Sequence, residues 1–473
     1  MILTHVDVRG FRHVFSVKSD FHGEVNYIIG HNGTGKTSFV RLLVAALKAD
    51  TGSLVRTPFT SIELHFKVRE NGSVFKLVYT RVEDLEKSID ERGQAFRVSL
   101  YRPDLEAIET SNIWLDRIRR NIDASLTSSV LIDESIWTVQ PEFYFEVSTE
   151  KTIRHRRVNT RKYQANAREI WRFIKENIQV RWLPIERTLR DDEQEIRRST
   201  NSVTQGPVNR KVMEVQNSLV RYFSELDKRK SEQLELFRNH SLLALFNIEV
   251  SQGNKNIAKT RVSSIEVELD KLIPELRLDA HLEKSFREKS KHLLDWLKTR
   301  KGRPIEVLRQ SLARLEEVLS QWRQAQLEIS RIFEKKEVYL SALEDAFSFA
   351  ELGQSSQAKF SKTPKLHSNN ELDFVQNIGG EERSIRLLDL SSGEKQFFIM
   401  LSEALLERDA ETLLIIDEPE LSLHISWQAR LVKDLLLLNP NVQLILATHS
   451  PDMISTEVHG LLQMEKVVSF THE

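Results

Sequence analysis

The chain has 473 residues, 40% of them hydrophobic and 29% charged, which is enough apolar surface for a buried core. At about 150 residues per domain it would form two to three domains. Lys and Arg number 68 and Asp and Glu 69, a net charge of −1, so a surface for nucleic acid or membrane would have to be a local patch. Cysteine is absent, which excludes disulfide frameworks, thiolate metal sites and cysteine nucleophiles. Residues 1–20 lack the apolar stretch of a signal peptide, and no charge-free run approaches the ~20 residues needed to cross a bilayer. A cytoplasmic protein without a membrane partner is expected.

Residues 1–10 read as a strand with Ile2, Val6 and Val8 as its apolar beads, and 24–29 as a second strand ending in a glycine turn. Residues 37–48 form a helix whose buried side is Phe39, Leu42, Leu43, Ala46 and Leu47. Stretches 62–68, 74–82 and 96–101 alternate as strands of an antiparallel sheet, with Asn71-Gly72 as a hairpin-type turn. A basic stretch follows (Lys151, Arg154, Arg156, Arg157, Arg161, Lys162, Arg168, Arg172), then a strand over 179–183 closed by Pro184. From Asp191 to Gly353 the composition turns helical. Its clearest periodicity is Ile305, Leu308, Leu312, Leu315, Leu319, Trp322, Gln326, Ile329, Phe333, a heptad seam behind Pro304 with Gln326 as a polar layer. The spacing predicts a short antiparallel coiled-coil hairpin, with Leu282, Phe286, Leu293 and Leu297 for its second helix, or else an amphipathic helix in a bundle. Residues 354–370 read as loop, after which strands and a helix return. The expected division is 1–190, 191–353 and 354–473.

Gly30-His31-Asn32-Gly33-Thr34-Gly35-Lys36-Thr37 matches G-x-x-x-x-G-K-[ST] between a strand and a helix, the context of a phosphate-binding loop. Backbone N–H groups of Gly30, Asn32, Gly33 and Gly35 would curl around phosphate oxygens, with Ser38 in the first helical turn. Lys36 would reach the β- and γ-phosphates and Thr37 would ligate Mg²⁺. Residues 412–418 are an apolar run ending in Asp417 and Glu418. Such a run reads as a strand buried on both faces, with Asp417 holding Mg²⁺ through water and Glu418 placed as the base that polarises the attacking water. Residues 444–447 are a third apolar strand, followed by Thr448-His449-Ser450-Pro451, which puts His449 where parallel sheets bind ligands. Leu390-Ser391-Ser392-Gly393-Glu394-Lys395-Gln396 precedes a helical run. Ser391 and Glu394 have capping-box spacing, and a helix so capped is also an anion site.

These four elements, in this order, resemble an ABC-type ATPase. Residues 390–396 look like its signature, 447–451 like its histidine switch, and Asp417-Glu418-Pro419-Glu420-Leu421-Ser422-Leu423 like the Walker B and D-loop of the SMC/RecF/OLD branch. The opening Val8-Arg9-Gly10-Phe11-Arg12 is similar to that branch too. The match covers roughly the first 50 and last 100 residues. It implies an α/β fold: a P-loop ABC ATPase head with a mixed sheet, interrupted by a helical, short coiled-coil insertion. It also implies ATP and Mg²⁺ as ligands, and two heads meeting head to tail, so that Ser391, Gly393 and Glu394 belong to the nucleotide site of the other subunit. The family's glutamine loop has no motif counterpart; Gln140, or the strand 180–184 with Glu186-Arg187, stands in its place. Asp417 lies 381 positions after Lys36, more than a compact core requires, and the excess is the insertion. Only 23 residues follow Ser450, too few for the Toprim nuclease of OLD proteins, so an effector is expected to be a separate protein.

The resemblance is strongest to ATPase subunits of anti-phage defence systems, of the PARIS AriA and Septu PtuA types. It implies slow ATP hydrolysis, a homodimer of heads within a higher oligomer, a nuclease effector as partner and a phage-encoded trigger. The alternative is a RecF/SMC-like DNA-repair or DNA-maintenance ATPase. That reading would use the basic stretch, with Tyr163 and Trp171 for stacking on DNA. A third class, an interaction protein on a degenerate ATPase fold, conflicts with the intact Lys36, Asp417, Glu418 and His449.

Overall fold

The computed structural model describes residues 1–13, 15–82, 95–103, 105–109, 160–183, 206–246, 259–276, 280–299, 305–348, 361–378, 381–454 and 460–470. Gln140, the basic residues 151–157, Pro184, Glu186, Arg187, Asp191, Pro304 and Gly353 lie outside them. The chain forms two compact units, 1–215 with 386–473, and 216–385.

The first unit contains two large sheets. The antiparallel one has seven strands: β1 (Ile2–Phe11), β2 (Phe15–Asp20), β4 (Ser61–Lys67), β5 (Val74–Val82), β6 (Ala95–Arg102), β7 (Leu105–Glu109) and β15 (Val468–Phe470), in the order β15-β2-β1-β4-β5-β6-β7. β4 alternates, burying Ile62, Leu64 and Phe66. In β1 the buried residue is Leu3 and not Ile2, because a register shift between Leu3 and His5 changes the parity of the strand against β4. The hairpin at Asn71-Gly72 forms, with Gly72 at φ +72°.

The second sheet is parallel, β14-β3-β13-β12-β8, built from β3 (Val25–Ile29), β8 (Gln179–Leu183), β12 (Thr412–Asp417), β13 (Gln443–Ala447) and β14 (Leu461–Gln463). β12 and β13 are buried at every position, as their uninterrupted apolar runs require. Sequence-distant β13 lies between β3 and β12, so the strands ending at Ile29, Asp417 and Ala447 are adjacent and point the same way.

Helix α1 (Lys36–Leu47) packs Phe39, Leu42, Leu43, Ala46 and Leu47 into one core with Val6, Ile62 and Leu64 of the antiparallel sheet and Leu413, Ile415 and Ile445 of the parallel one. Each buried Leu, Ile, Val or Phe among them contributes about 1.5–3 kcal/mol of burial. That anchors α1 and therefore the loop before it. The unit also contains α2 (Thr51–Arg56), α3 (Thr160–Asn177), α8 (Ser392–Leu406), α9 (Ile425–Leu438) and α10 (Met464–Val467).

In the second unit, α4 (Pro207–Phe246, which starts in the first unit), α5 (Lys259–Glu275), α6 (Ala280–Thr299) and α7 (Ile305–Phe347) share a core. Leu234 and Phe237, Ile265, Leu269 and Leu272, Leu294, and Leu315, Leu319 and Trp322 come from these four helices in turn. A two-helix hairpin is therefore replaced by a bundle core. Gln326 is exposed and Ala325 takes the buried place. The reason is that a straight helix of 3.6 residues per turn drifts off a strict heptad. Of the residues proposed for the second helix, Phe286 packs partly buried against this core. The side chains of Leu282, Leu293 and Leu297 lie outside the description. The stretch read as loop contains a strand, β9 (Lys362–Leu366), paired with β10 (Leu372–Ile378), which pairs in turn with β11 (Glu381–Ile385). Pro364 is tolerated there because β9 is an edge strand. The two compact units divide at 215/216 and 385/386. Among the described residues no helix is long and apolar enough to cross a membrane.

Candidate functional site

The loop 30–37 joins β3 to α1. Gly33 and Gly35 have φ of +88° and +90°, and a Cβ on either would meet nothing within 4 Å. Glycine is required there by the left-handed backbone and not by crowding. Gly35 caps α1 with no side-chain hydrogen bond, so the first N–H groups of the helix are left to other partners, and the helix dipole favours an anion. Asn32 is exposed at the tip of the loop. Ser38 Oγ accepts from Arg12 Nη2 at 2.9 Å.

Lys36 is 5% exposed. Its Nζ donates to Gly30 O at 2.7 Å and His31 O at 3.1 Å, and lies 3.4 Å from His449 Nδ1. Burial pushes the ammonium's pKa down, against the opposing pull of Glu418, Glu465, Asp417 and Glu420. One step along, Thr37 Oγ1 donates to Asp417 Oδ1 at 3.3 Å, joining the start of α1 to the end of β12. Asp417 is 3% exposed and its carboxyl is raised to about 6: burial dominates, Glu418 adds to it, and the Thr37 hydrogen bond and Arg41 oppose it. A hydroxyl and a carboxylate so placed are hard oxygen ligands of the kind Mg²⁺ takes alongside water and phosphate oxygens. Among the described residues no group of three or more His, Asp or Glu could hold a metal alone, so the rest of a coordination shell would come from phosphate and water.

Glu418 has φ +47°, a left-handed backbone rare for a side chain with Cβ. Its N–H donates to Ala447 O at 2.6 Å, so the last residue of β13 holds the turn in place. The carboxylate is only half-buried. His449 is exposed just beyond β13. Lys36, Thr37, Asp417, Glu418 and His449 are thus gathered at the C-terminal end of three neighbouring parallel strands.

The signature residues are fixed by different contacts. Ser391 caps α8 through a complete capping box: Glu394 N donates to Ser391 Oγ at 3.3 Å and Ser391 N donates to Glu394 Oε2 at 2.8 Å. Glu394 is 3% exposed, its carboxylate committed to the cap. A Cβ on Gly393 would lie 2.1 Å from Ser422 O, so α8 presses against the segment that follows Asp417 and Glu418.

Two carboxylates in this region have no role in the sequence reading. Glu465 accepts from His31 N at 2.6 Å and from its ring at 2.9 Å, which holds its carboxyl down at about 2. It lies 434 residues from its partner, so no local pattern announces it. Glu420 accepts from His449 N at 2.6 Å. It lies inside the quoted Asp-Glu-Pro-Glu run, which was the available signal. Of the aromatics proposed for stacking on DNA, Trp171 on α3 carries Lys175 Nζ 4.8 Å from its ring centroid, while Tyr163's side chain lies outside the description.

The AAA ATPase domain family matches residues 1–454. Over 111 residues the chain is 35% identical to the Retron Vc95 probable ATPase of Vibrio cholerae serotype O1 biovar El Tor, an alignment covering 21% of this chain. The chain spans about a fifth of the length of that relative, 20%. Among solved structures, the Smc head domain with an extended coiled coil bound to the C-terminal domain of ScpA, from Pyrococcus furiosus, aligns over 96% of this chain and 90% of its own at 15% identity and a TM-score of 0.32. The Smc head domain with a coiled coil and joint from Pyrococcus yayanosii aligns over 96% and 93% at 16% identity and a TM-score of 0.30. At those scores the architecture rests on the strand order above. With nearly the whole chain matched and the phosphate loop in place between β3 and α1, the protein belongs to the AAA ATPase domain family.

Proposed function

We propose that this chain binds and hydrolyses ATP with Mg²⁺, and that it does so as the sensor and scaffold subunit of a bacterial anti-phage defence complex that controls a separate nuclease. The observation that carries the ATPase reading is the meeting of Lys36, the Thr37–Asp417 pair, Glu418 and His449 at one edge of the parallel sheet. The α1 N–H groups and Lys36 would hold the phosphates, Lys36 exchanging its bonds to Gly30 O and His31 O for phosphate oxygens. Thr37 and Asp417 would hold Mg²⁺, which when bound neutralises charge building on the phosphate oxygens. Glu418 would take the proton of the attacking water, and His449 would orient that water and the terminal phosphate. Ser391 and the N-terminus of α8, with Gly393 and Glu394 setting its position, would meet the nucleotide of a second copy.

The defence role is supported by the retron ATPase relative and by the motif resemblance. The RecF/SMC-like DNA-maintenance reading depends on the basic stretch, and Lys175 on Trp171 makes that aromatic a weaker platform for a base.

Steady-state ATP turnover tests the enzyme. Lys36→Ala is expected to lose nucleotide binding, and Glu418→Gln to bind ATP but turn it over at least about 100-fold more slowly. ATP affinity unaltered in Lys36→Ala would remove Lys36 from the site. Purification with neighbouring native genes tests the role. A stoichiometric nuclease partner is expected, whereas a solitary ATPase retaining duplex DNA at moderate salt would favour the alternative.

A further inference from the structure

His449 poses a positional problem. It is exposed, lies two residues past the end of β13, and sits with its ring nitrogen 3.4 Å from the Lys36 ammonium. The histidine can orient a reacting group only if its backbone is held, and an exposed strand end is where backbone is otherwise least constrained. The structure holds it at two points. Glu420 Oε1 accepts the His449 N–H at 2.6 Å, a short charge-assisted bond. One residue on, Ser450 Oγ donates to Gln428 Oε1 at 2.6 Å. Gln428 Nε2 in turn donates to Leu423 O at 3.0 Å, so the Glu420–Leu423 segment and the His449–Ser450 segment are tied together twice.

Glu420 is an expensive residue for a merely structural tie. Its second oxygen, Oε2, is buried and has no hydrogen-bond partner among the described residues. Buried, half-satisfied charges kept against this cost concentrate where a fold serves chemistry.

The geometry points to Glu420 as the positioning residue for His449, fixing its backbone so that the imidazole stays on the Lys36 side of the site, with Gln428 steadying Ser450 behind it. This rests on the hydrolytic reading of the site. It deepens that reading by adding a residue that acts only through the histidine.

The test uses the full chain with Glu420→Ala, Glu420→Gln, His449→Ala and the double variant Glu420→Ala/His449→Ala. In Glu420→Ala, kcat should fall about 100-fold, the scale of a misplaced catalytic group, while KM for ATP changes by less than about twofold. Glu420→Gln keeps an acceptor and should recover most of the rate. The double variant should be no slower than His449→Ala, because a residue acting through another adds nothing once that other is gone. Amide hydrogen exchange at His449 should accelerate in Glu420→Ala and remain slow in Glu420→Gln. Should Glu420→Ala fold poorly, Ser450→Ala cuts the second tie and should show a smaller loss of kcat in the same direction. The inference is overturned if the two single losses multiply in the double variant, or if the His449 amide stays protected without Glu420. A wild-type chain that binds ATP without turning it over would sink the hydrolytic reading instead, and the exchange measurement would still decide the role of Glu420.

Discussion

Asp417 carries the largest electrostatic cost at the site, and its sign can be worked through. Its carboxyl is raised from 3.8 to about 6, chiefly by burial. Between those two values the folded chain holds a proton that the unfolded chain has lost, so stability falls as pH rises through that window. Above about pH 6 the ionised, buried group costs on the order of 3 kcal/mol. A dication beside it would reverse this, because its field favours the carboxylate, and binding it below pH 6 would first require releasing the proton. Two results are expected from thermal unfolding between pH 5 and 8. Asp417→Asn, which keeps the shape and an acceptor for Thr37, should be more stable than wild type at neutral pH and should flatten the profile near pH 6. Mg²⁺-nucleotide should stabilise wild type progressively less as pH falls below 6, and Asp417→Asn hardly at all. An asparagine variant less stable than wild type at pH 7 would mean that burial does not dominate at this position.

At the level of elements, the C-terminal edge of the parallel sheet and the start of α8 are linked by one short segment, 418–424. It begins at the left-handed Glu418, passes Glu420 on His449, and brings Ser422 O against Gly393 at the start of α8. Gly393→Ala would place a methyl 2.1 Å from that carbonyl, where backbone must move. Overpacking of this kind costs about 1–3 kcal/mol and should displace the capped end of α8, while ATP binding to a single head stays intact. Circular dichroism melting and nucleotide titration check both parts; a variant with wild-type melting would mean that α8 gives way freely. Little of this segment's role was legible in the sequence. The place of the loop 30–37 between a strand and a helix was, because the flanking elements have clear periods. The positions of Asp417, Glu418 and His449 at or just past strand ends were, because continuous apolar runs mark those strands. Glu465 on His31 was not, since it depends on two chain ends meeting through β14 and β3. The bulge that buries Leu3 in place of Ile2, and the drift that exposes Gln326, are tertiary choices among patterns that the residues allow equally.

For the whole molecule, the question is what ATP does to the number of copies. A net charge of −1 means that two copies approach with little long-range repulsion, so local contacts decide association. Within one chain, α8 presents a capped N-terminus whose position is set by Ser391, Glu394 and Ser422. If that terminus serves the nucleotide of a second copy, ATP contributes contacts only in the paired state, and its differential affinity shifts the equilibrium toward pairs. Hydrolysis would end that bias, so removing the base while leaving phosphate binding intact should accumulate pairs. Glu418→Gln with ATP and Mg²⁺ is therefore expected to double in mass by light scattering relative to the same variant without nucleotide. Lys36→Ala should not respond, and combining Glu418→Gln with Gly393→Ala should weaken the response by displacing α8. A Glu418→Gln variant that binds ATP while its mass stays constant would remove the head-to-tail pair, and with it the role given to Ser391. The site made by Lys36, Asp417 and Glu418 would then have to work within a single chain.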